Sequence, residues 1–169
     1  MGDLDFEIIA RTWPYLLSGL QYTLQLTVVA ALGGVAFGTL LAMARLSSNK
    51  TLSLIAAAYV NLMRSIPLLL VIFWFYFLMP IVLQKITGAE RPVQLGADRS
   101  AYITFIMFEA AYFCEIMRAG IQSISKGQVN AGYALGLTYK QSMQLVILPQ
   151  AFRNMLPILL TQTLSLIHI

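Results

Sequence analysis

Charged residues divide this chain into long apolar runs and short polar intervals. No Asp, Glu, Lys or Arg occurs from Thr12 to Ala44 or from Ser65 to Gln84. Each run is long enough to cross roughly 30 Å of hydrocarbon at about 1.5 Å per residue. The first opens at Trp13-Pro14, closes at Arg45 and holds thirty-three uncharged residues, so tilt or an interfacial turn is expected. Within it Ala30, Gly34, Gly38 and Ala42 recur every fourth position, a stripe of small side chains that lets another helix approach closely. A second segment runs from Thr51 to Leu83 and is interrupted by Arg64-Ser65-Ile66-Pro67, where proline predicts a kink or a break. Its second half carries Phe73, Trp74, Phe75, Tyr76 and Phe77, then Pro80, which is the composition of a lipid-facing interfacial belt. Gln84 to Arg99, with Gly88, Pro92 and Gly96, has loop composition. The third segment, Ser100 to Met117, holds Glu109 near its middle and Glu115 near its end, and a fourth apolar segment starts at Ala151.

Composition narrows the class. The chain has 169 residues, of which 59% are hydrophobic and only 11% charged, and its mean hydropathy is +0.75. Those values exclude a soluble domain, a disordered chain, collagen and a coiled coil. The expected fold is all-α, a polytopic membrane helical bundle. The net charge of +4 is a topology signal rather than a sign of nucleic-acid binding. Asp3, Asp5, Glu7 and Arg11 make the start net negative, which places the N-terminus outside. Arg45 and Lys50, and later Arg118, Lys126, Lys140 and Arg153, occur in stretches without an acid and belong on the cytoplasmic side. The acidic start also argues against a cleaved signal peptide. One cysteine, Cys114, and one histidine, His168, leave no internal disulfide, no Cys/His metal site and no nucleophile and base pair for an intramembrane enzyme.

The interval from Arg118 to Gln150 is too polar to cross a membrane and too rich in helix signals to be a slack loop. Ser125 followed by Gln128 has capping-box spacing, and Gly136 suits the left-handed residue that ends a helix, which predicts a helix from about Lys126 to Leu135. Thr138 followed by Gln141 repeats the pattern and opens a second helix, which Pro149 is expected to close. Two readings stand at this point: a docking surface, or a structured loop packed on its own bundle.

Asn130-Ala131-Gly132, then Gly136, then Val146, Leu148 and Pro149 fall on the pattern E-A-A, three residues, G, nine residues, I-x-L-P. The pattern resembles the cytoplasmic EAA loop of permease subunits in type I ABC importers. Gly127-Gln128, Ala134-Leu135-Gly136 and Leu148-Pro149-Gln150-Ala151 are similar to the polar amino-acid branch of that family. So are Arg64-Ser65-Ile66-Pro67-Leu68 and Phe108-Glu109-Ala110-Ala111-Tyr112, most of all to its glutamate/aspartate permeases. The likeness extends from Pro14 to about Gln162. Two positions depart from it: Asn130 stands where the family has Glu, and Gly132 where it has a second Ala.

The resemblance implies a channel-forming subunit of the bacterial inner membrane, not an enzyme, that imports polar amino acids by alternating access. Its implied partners are a dimer of ATP-binding-cassette ATPases, a second permease and an external solute-binding protein. No G-x-x-x-x-G-K-[ST] phosphate loop occurs, so no cofactor is expected on this chain and ATP would be bound by the partner. The implied dock is Gly127, Gln128, Asn130, Ala131, Gly132, Gly136, Val146, Leu148 and Pro149, with small Ala131, Gly132 and Ala134 permitting close approach. Arg64, Glu109 and Glu115, ionisable groups within or beside the spans, are the candidates for the substrate path, or else they pair with one another or with Arg118. The competing class is an autonomous secondary transporter or channel, which also keeps acids in the bilayer. Three complete spans and a truncated fourth are expected, about five in the intact protein. The transmembrane domain is expected over 1–162. The tail, 163–169, resembles the in-frame translation of a transposon-end sequencing adapter and is expected to be non-native.

Overall fold

The computed structural model describes residues 6–93 and 95–168, and the acids Asp3 and Asp5 that entered the orientation argument lie outside the described residues, as does Ile169. Among the described residues all regular structure is helical. Helix α1 spans Phe6–Arg45 without interruption and carries Pro14 inside it. Forty residues extend about 60 Å, so α1 reaches well beyond one bilayer core. It stops at the polar Ser47-Ser48-Asn49, where Asn49 Oδ1 accepts the Thr51 and Leu52 N–H groups at 3.0 and 3.3 Å and opens α2, Lys50–Ser65.

Pro67 then breaks the chain rather than bending it. Ile66 is extended (φ −110°, ψ 134°), as a residue before proline prefers, and α3 starts afresh at Leu68–Phe73. A π-helical turn, Trp74–Leu78, leads from α3 into α4, Met79–Thr87, which ends on left-handed Gly88 (φ 68°). Helix α5 covers Ala97–Gln122, α6 Lys126–Ala134 and α7 Tyr139–Ser142, and a second π-turn, Met143–Ile147, leads into α8, Leu148–His168. Among the described residues four stretches are long and apolar enough to cross a membrane: Ile8–Arg45, Leu68–Thr87, Ala97–Gln122 and Tyr139–Ile167.

Both π-turns have the same local cause. Pro80 and Pro149 each lack an N–H, and a proline ring collides with the carbonyl four residues back in an α-helix. Widening the turn by one residue avoids the collision: Met79 N–H donates to Trp74 O, and Leu148 N–H donates to Met143 O. Contrary to the expectation from its position, Pro149 does not close the second helix of the polar interval. The helix runs on through it into the fourth span.

Helix α5 is the axis of the bundle and the most buried span. The stripe Ala30, Gly34, Gly38 and Ala42 of α1 is buried, and its glycines lie on α5. A β-carbon at Gly34 would sit 3.0 Å from Glu109 Cβ, and one at Gly38 2.9 Å from the Ala110 carbonyl oxygen and from Phe113 Cβ. Lipid gives apolar helices no hydrophobic reason to associate, so this backbone proximity is what favours the α1–α5 contact. Val60 and Met63 of α2, Val71, Phe75, and Ala151 and Met155 of α8 close the core around Phe108, Ala111, Cys114 and Met117. Of the five clustered aromatics, Phe75 enters this core and the other four are exposed, as a lipid-facing belt requires. The tail continues α8, and its Leu166 packs on Ala30 and Phe105.

Candidate functional site

The polar interval folds as a hairpin at the end of the bundle where α5 stops and α8 begins. Helix α6 ends in a Schellman motif: Gly136, at φ +79°, donates its N–H to Tyr133 O at 2.9 Å, and Leu137 donates to Gly132 O at 3.0 Å. Thr138 and Gln141 form the reciprocal capping box that opens α7, the Thr138 N–H donating to Gln141 Oε1 at 2.9 Å. The other capping box is absent. Ser125 occupies the N-cap position without a side-chain cap, and Gln128 instead accepts at 3.5 Å from Gln150 Nε2, which also donates to Val146 O at 2.9 Å. Asn154 Nδ2 donates to Ser123 Oγ at 2.8 Å. These side-chain bonds tie the hairpin to the base of α8.

The small residues of α6 divide into two roles. Gly132 is buried, and a β-carbon there would meet Ser142 Oγ at 2.8 Å, so its smallness accommodates the neighbouring α7 rather than an outside partner. Ala131 and Ala134 are exposed, together with Gly127, Gln128, Asn130, Gly136, Leu148 and Pro149, while Val146 is half-buried. Beside them Leu135 is 81% exposed, Leu145 68%, Tyr139 64% and Tyr133 47%. Tyr133 and Leu135 stand at the end of α6, and Tyr139 and Leu145 at the start of the fourth apolar stretch; exposed apolar side chains of this size are suited to covering by another protein.

Two polar arrangements, one buried and one partly exposed, involve α5, and they are separate. Glu109 is fully buried in α5, its Oε2 accepting from Gln162 Nε2 of α8 at 2.9 Å and its Oε1 without a partner. Glu115 lies nearer the end of α5, where Arg45 pairs with Oε1 and Arg118 with Oε2 at 2.8 Å. Arg64 Nη1 stands 3.9 Å from the same Oε2, and its guanidinium lies over the Tyr112 ring, 5.5 Å from the centroid. Arg64 therefore joins Glu115 and not Glu109. Sequence reasoning missed Gln162 and Arg45, because pairings that cross 53 and 70 positions depend on how whole helices are rotated against each other.

Residues 34–168 match the family described as binding-protein-dependent transport system inner membrane component. Among curated proteins the chain is 51% identical to the glutamate/aspartate import permease protein GltK of Escherichia coli, over 98% of this chain and 74% of that one. It is 37% identical to the L-cystine transport system permease protein TcyB of Bacillus subtilis, over 97% of this chain and 67% of that one. Among solved structures, that of an amino acid ABC transporter with histidines superposes with a TM-score of 0.85 at 32% identity, covering 99% of this chain and 74% of that one. The inward-facing MetNI methionine ABC transporter shares the fold, with a TM-score of 0.65 at 22% identity.

Proposed function

Since the chain belongs to the inner membrane components of binding-protein-dependent transport systems, we propose that it is the permease subunit through which an ATP-driven importer moves acidic amino acids such as glutamate and aspartate. The likeness to GltK over 98% of the chain carries the substrate class. The membership accounts for a multi-pass inner-membrane protein that transports rather than catalyses, and for ATPase and solute-binding-protein partners in general. A second permease, like or paralogous, completes the proposed complex, with the N-terminus outside and the hairpin in the cytoplasm.

The exposed α6–α7 hairpin is the proposed ATPase dock. Its single most telling feature is an apolar rim, Tyr133, Leu135, Tyr139 and Leu145, on a segment whose α6 packs on α7 at Gly132 and Ser142 and whose Gln128 meets Gln150 of α8. Such a segment passes a push from a partner to α8 without dissipating it in a flexible loop. Asn130, exposed on the same hairpin, offers hydrogen bonds but no charge, so the dock is proposed to work by backbone and apolar contact. ATP shifts the complex between inward- and outward-facing states in proportion to its differential affinity for them. The proposed substrate path passes Glu109, whose unpartnered Oε1 is suited to the amino group of the solute. Arg64 and Glu115 are left to the ionic cluster.

Gly136→Val tests the dock. No atom lies within 4 Å of the added β-carbon, so the substitution acts on backbone alone, at a cost of roughly 1 kcal/mol or more for a left-handed residue with a β-carbon. The expected result is normal membrane insertion with lost ATPase association, or with hydrolysis uncoupled from uptake in proteoliposomes. Wild-type association and coupling in this variant remove the assignment.

A further inference from the structure

The ion pairs among the described residues all converge on Glu115. Arg45 comes from the last turn of α1, Arg64 from the last turn of α2 and Arg118 from the last two turns of α5. Three guanidiniums against one carboxylate leave two positive charges, and arginine does not shed its proton to relieve them. The carbonyl ends of α1, α2 and α5 offset part of this excess, at most about half a charge each, and the cluster stays positive. A phosphodiester carries one negative charge.

The three arginines are not equally engaged. Arg45 is mostly buried against Glu115, and Arg118 is held by Glu115 Oε2 through Nη2 at 2.8 Å and Nε at 3.2 Å while its Nη1 donates to Gln122 at 2.6 Å. Arg64, at 3.9 Å from Glu115, is beyond hydrogen-bond range, its side chain is 41% exposed, and the Tyr112 ring supports one face of it. Its planar fork of donors is thus available, and guanidinium forks match phosphate oxygens in pairs. The cluster gathers near the C-terminal ends of α1 and α5, the side that the proposed topology turns toward the cytoplasmic headgroups. Next to Arg64 in sequence, Leu62, Leu69 and Leu70 are 52%, 61% and 48% exposed, apolar surface of the kind acyl chains cover.

We propose that Arg64, backed by Arg45 and Arg118, binds the phosphate of an anionic phospholipid at the end of the α1–α2–α5 bundle. The lipid supplies the charge that Glu115 alone does not, and it holds α2 to α5 where Pro67 has severed α2 from α3. Basic pockets between membrane helices near the headgroup level take anionic lipids on the same principle, each arginine contributing on the order of fivefold in affinity.

The test uses the complete transporter purified in mild detergent. Titration with phosphatidylglycerol is expected to raise its thermal midpoint, while phosphatidylcholine does not. Native mass spectrometry is expected to show retained phosphatidylglycerol that falls about fivefold in Arg64→Gln. Glu115→Gln separates this role from a merely structural one, because removing the carboxylate raises the charge of the cluster: its destabilisation is expected to be rescued by phosphatidylglycerol, with retention above that of the wild type. An equal rise with inorganic phosphate assigns the site to a free anion and removes the lipid. Loss of a protein subunit from Arg64→Gln with lipid retention unchanged makes the cluster a protein interface instead. No rescue of Glu115→Gln by phosphatidylglycerol overturns the proposal as well.

Discussion

Replacing Gly38 by alanine places one methyl group between α1 and α5, and its consequence follows from three distances. The new carbon would lie 2.9 Å from Ala110 O, 2.9 Å from Phe113 Cβ and 3.1 Å from Cys114 N. Non-bonded carbon contacts are comfortable at about 3.5–4.0 Å, so the approach to Phe113 Cβ is short by roughly half an ångström or more, and those to Ala110 O and Cys114 N are also tight. Two of the three atoms belong to the α5 backbone, and no side-chain rotation clears them. The helices must separate, at a cost of about 1–3 kcal/mol for overpacking. Alanine also gains about 1 kcal/mol over glycine as a helix former, so the net loss is up to about 2 kcal/mol. Gly19 in the same helix isolates the second effect, because nothing lies within 4 Å of a β-carbon there. Gly19→Ala is therefore expected to match or exceed wild-type stability and Gly38→Ala to fall below it, a gap of about 1–3 kcal/mol between the two variants. Thermal unfolding of the purified complex, followed by tryptophan fluorescence, reads the order directly. Equal midpoints for Gly38→Ala and Gly19→Ala would refute the idea that glycine is present at position 38 for backbone proximity.

Other outcomes are equally checkable. Thr138→Ala removes the acceptor of the Gln141 N–H and is expected to cost the α7 start about 1 kcal/mol, seen as faster amide exchange at Gln141 and Ser142 with the spans unchanged. Glu109→Gln keeps the size of the side chain and is expected to lower solute uptake while ATPase association persists; unchanged uptake and substrate preference take Glu109 out of the path. Arg64→Gln adds a contrast, since it is expected to alter stability and lipid retention before it alters substrate preference.

The spans were legible because hydropathy acts on each helix separately. The break at Pro67 and the stop at Gly136 were legible for a related reason, since both are backbone properties of single residues. Ser125 and Thr138 show where such reading runs out. Both begin a capping-box pattern, yet only Thr138 forms the box, because Gln128 faces Gln150 of α8 and is drawn to it. The role of Gly132 was equally hidden, as its neighbour Ser142 becomes a neighbour only once the hairpin closes. Arg64 joined Glu115 rather than Glu109 for a similar reason: spacing along one helix does not say which face a separate helix will meet.

The two π-turns bear on which changes of length this chain tolerates. A π-turn holds one more residue than the α-helical turn it replaces, so it behaves as an insertion absorbed within a few residues. Deleting one residue from Met143–Ile147, with Pro149 changed to alanine, would restore an ordinary helix and leave Ala151, Met155 and Gln162 facing α5 as before. The same deletion two turns further along α8 has no slack to draw on. It would rotate every later residue by about 100°, carrying Gln162 away from Glu109. Natural length variation in this helix should therefore collect at Met143–Ile147, and in the second span at Trp74–Leu78.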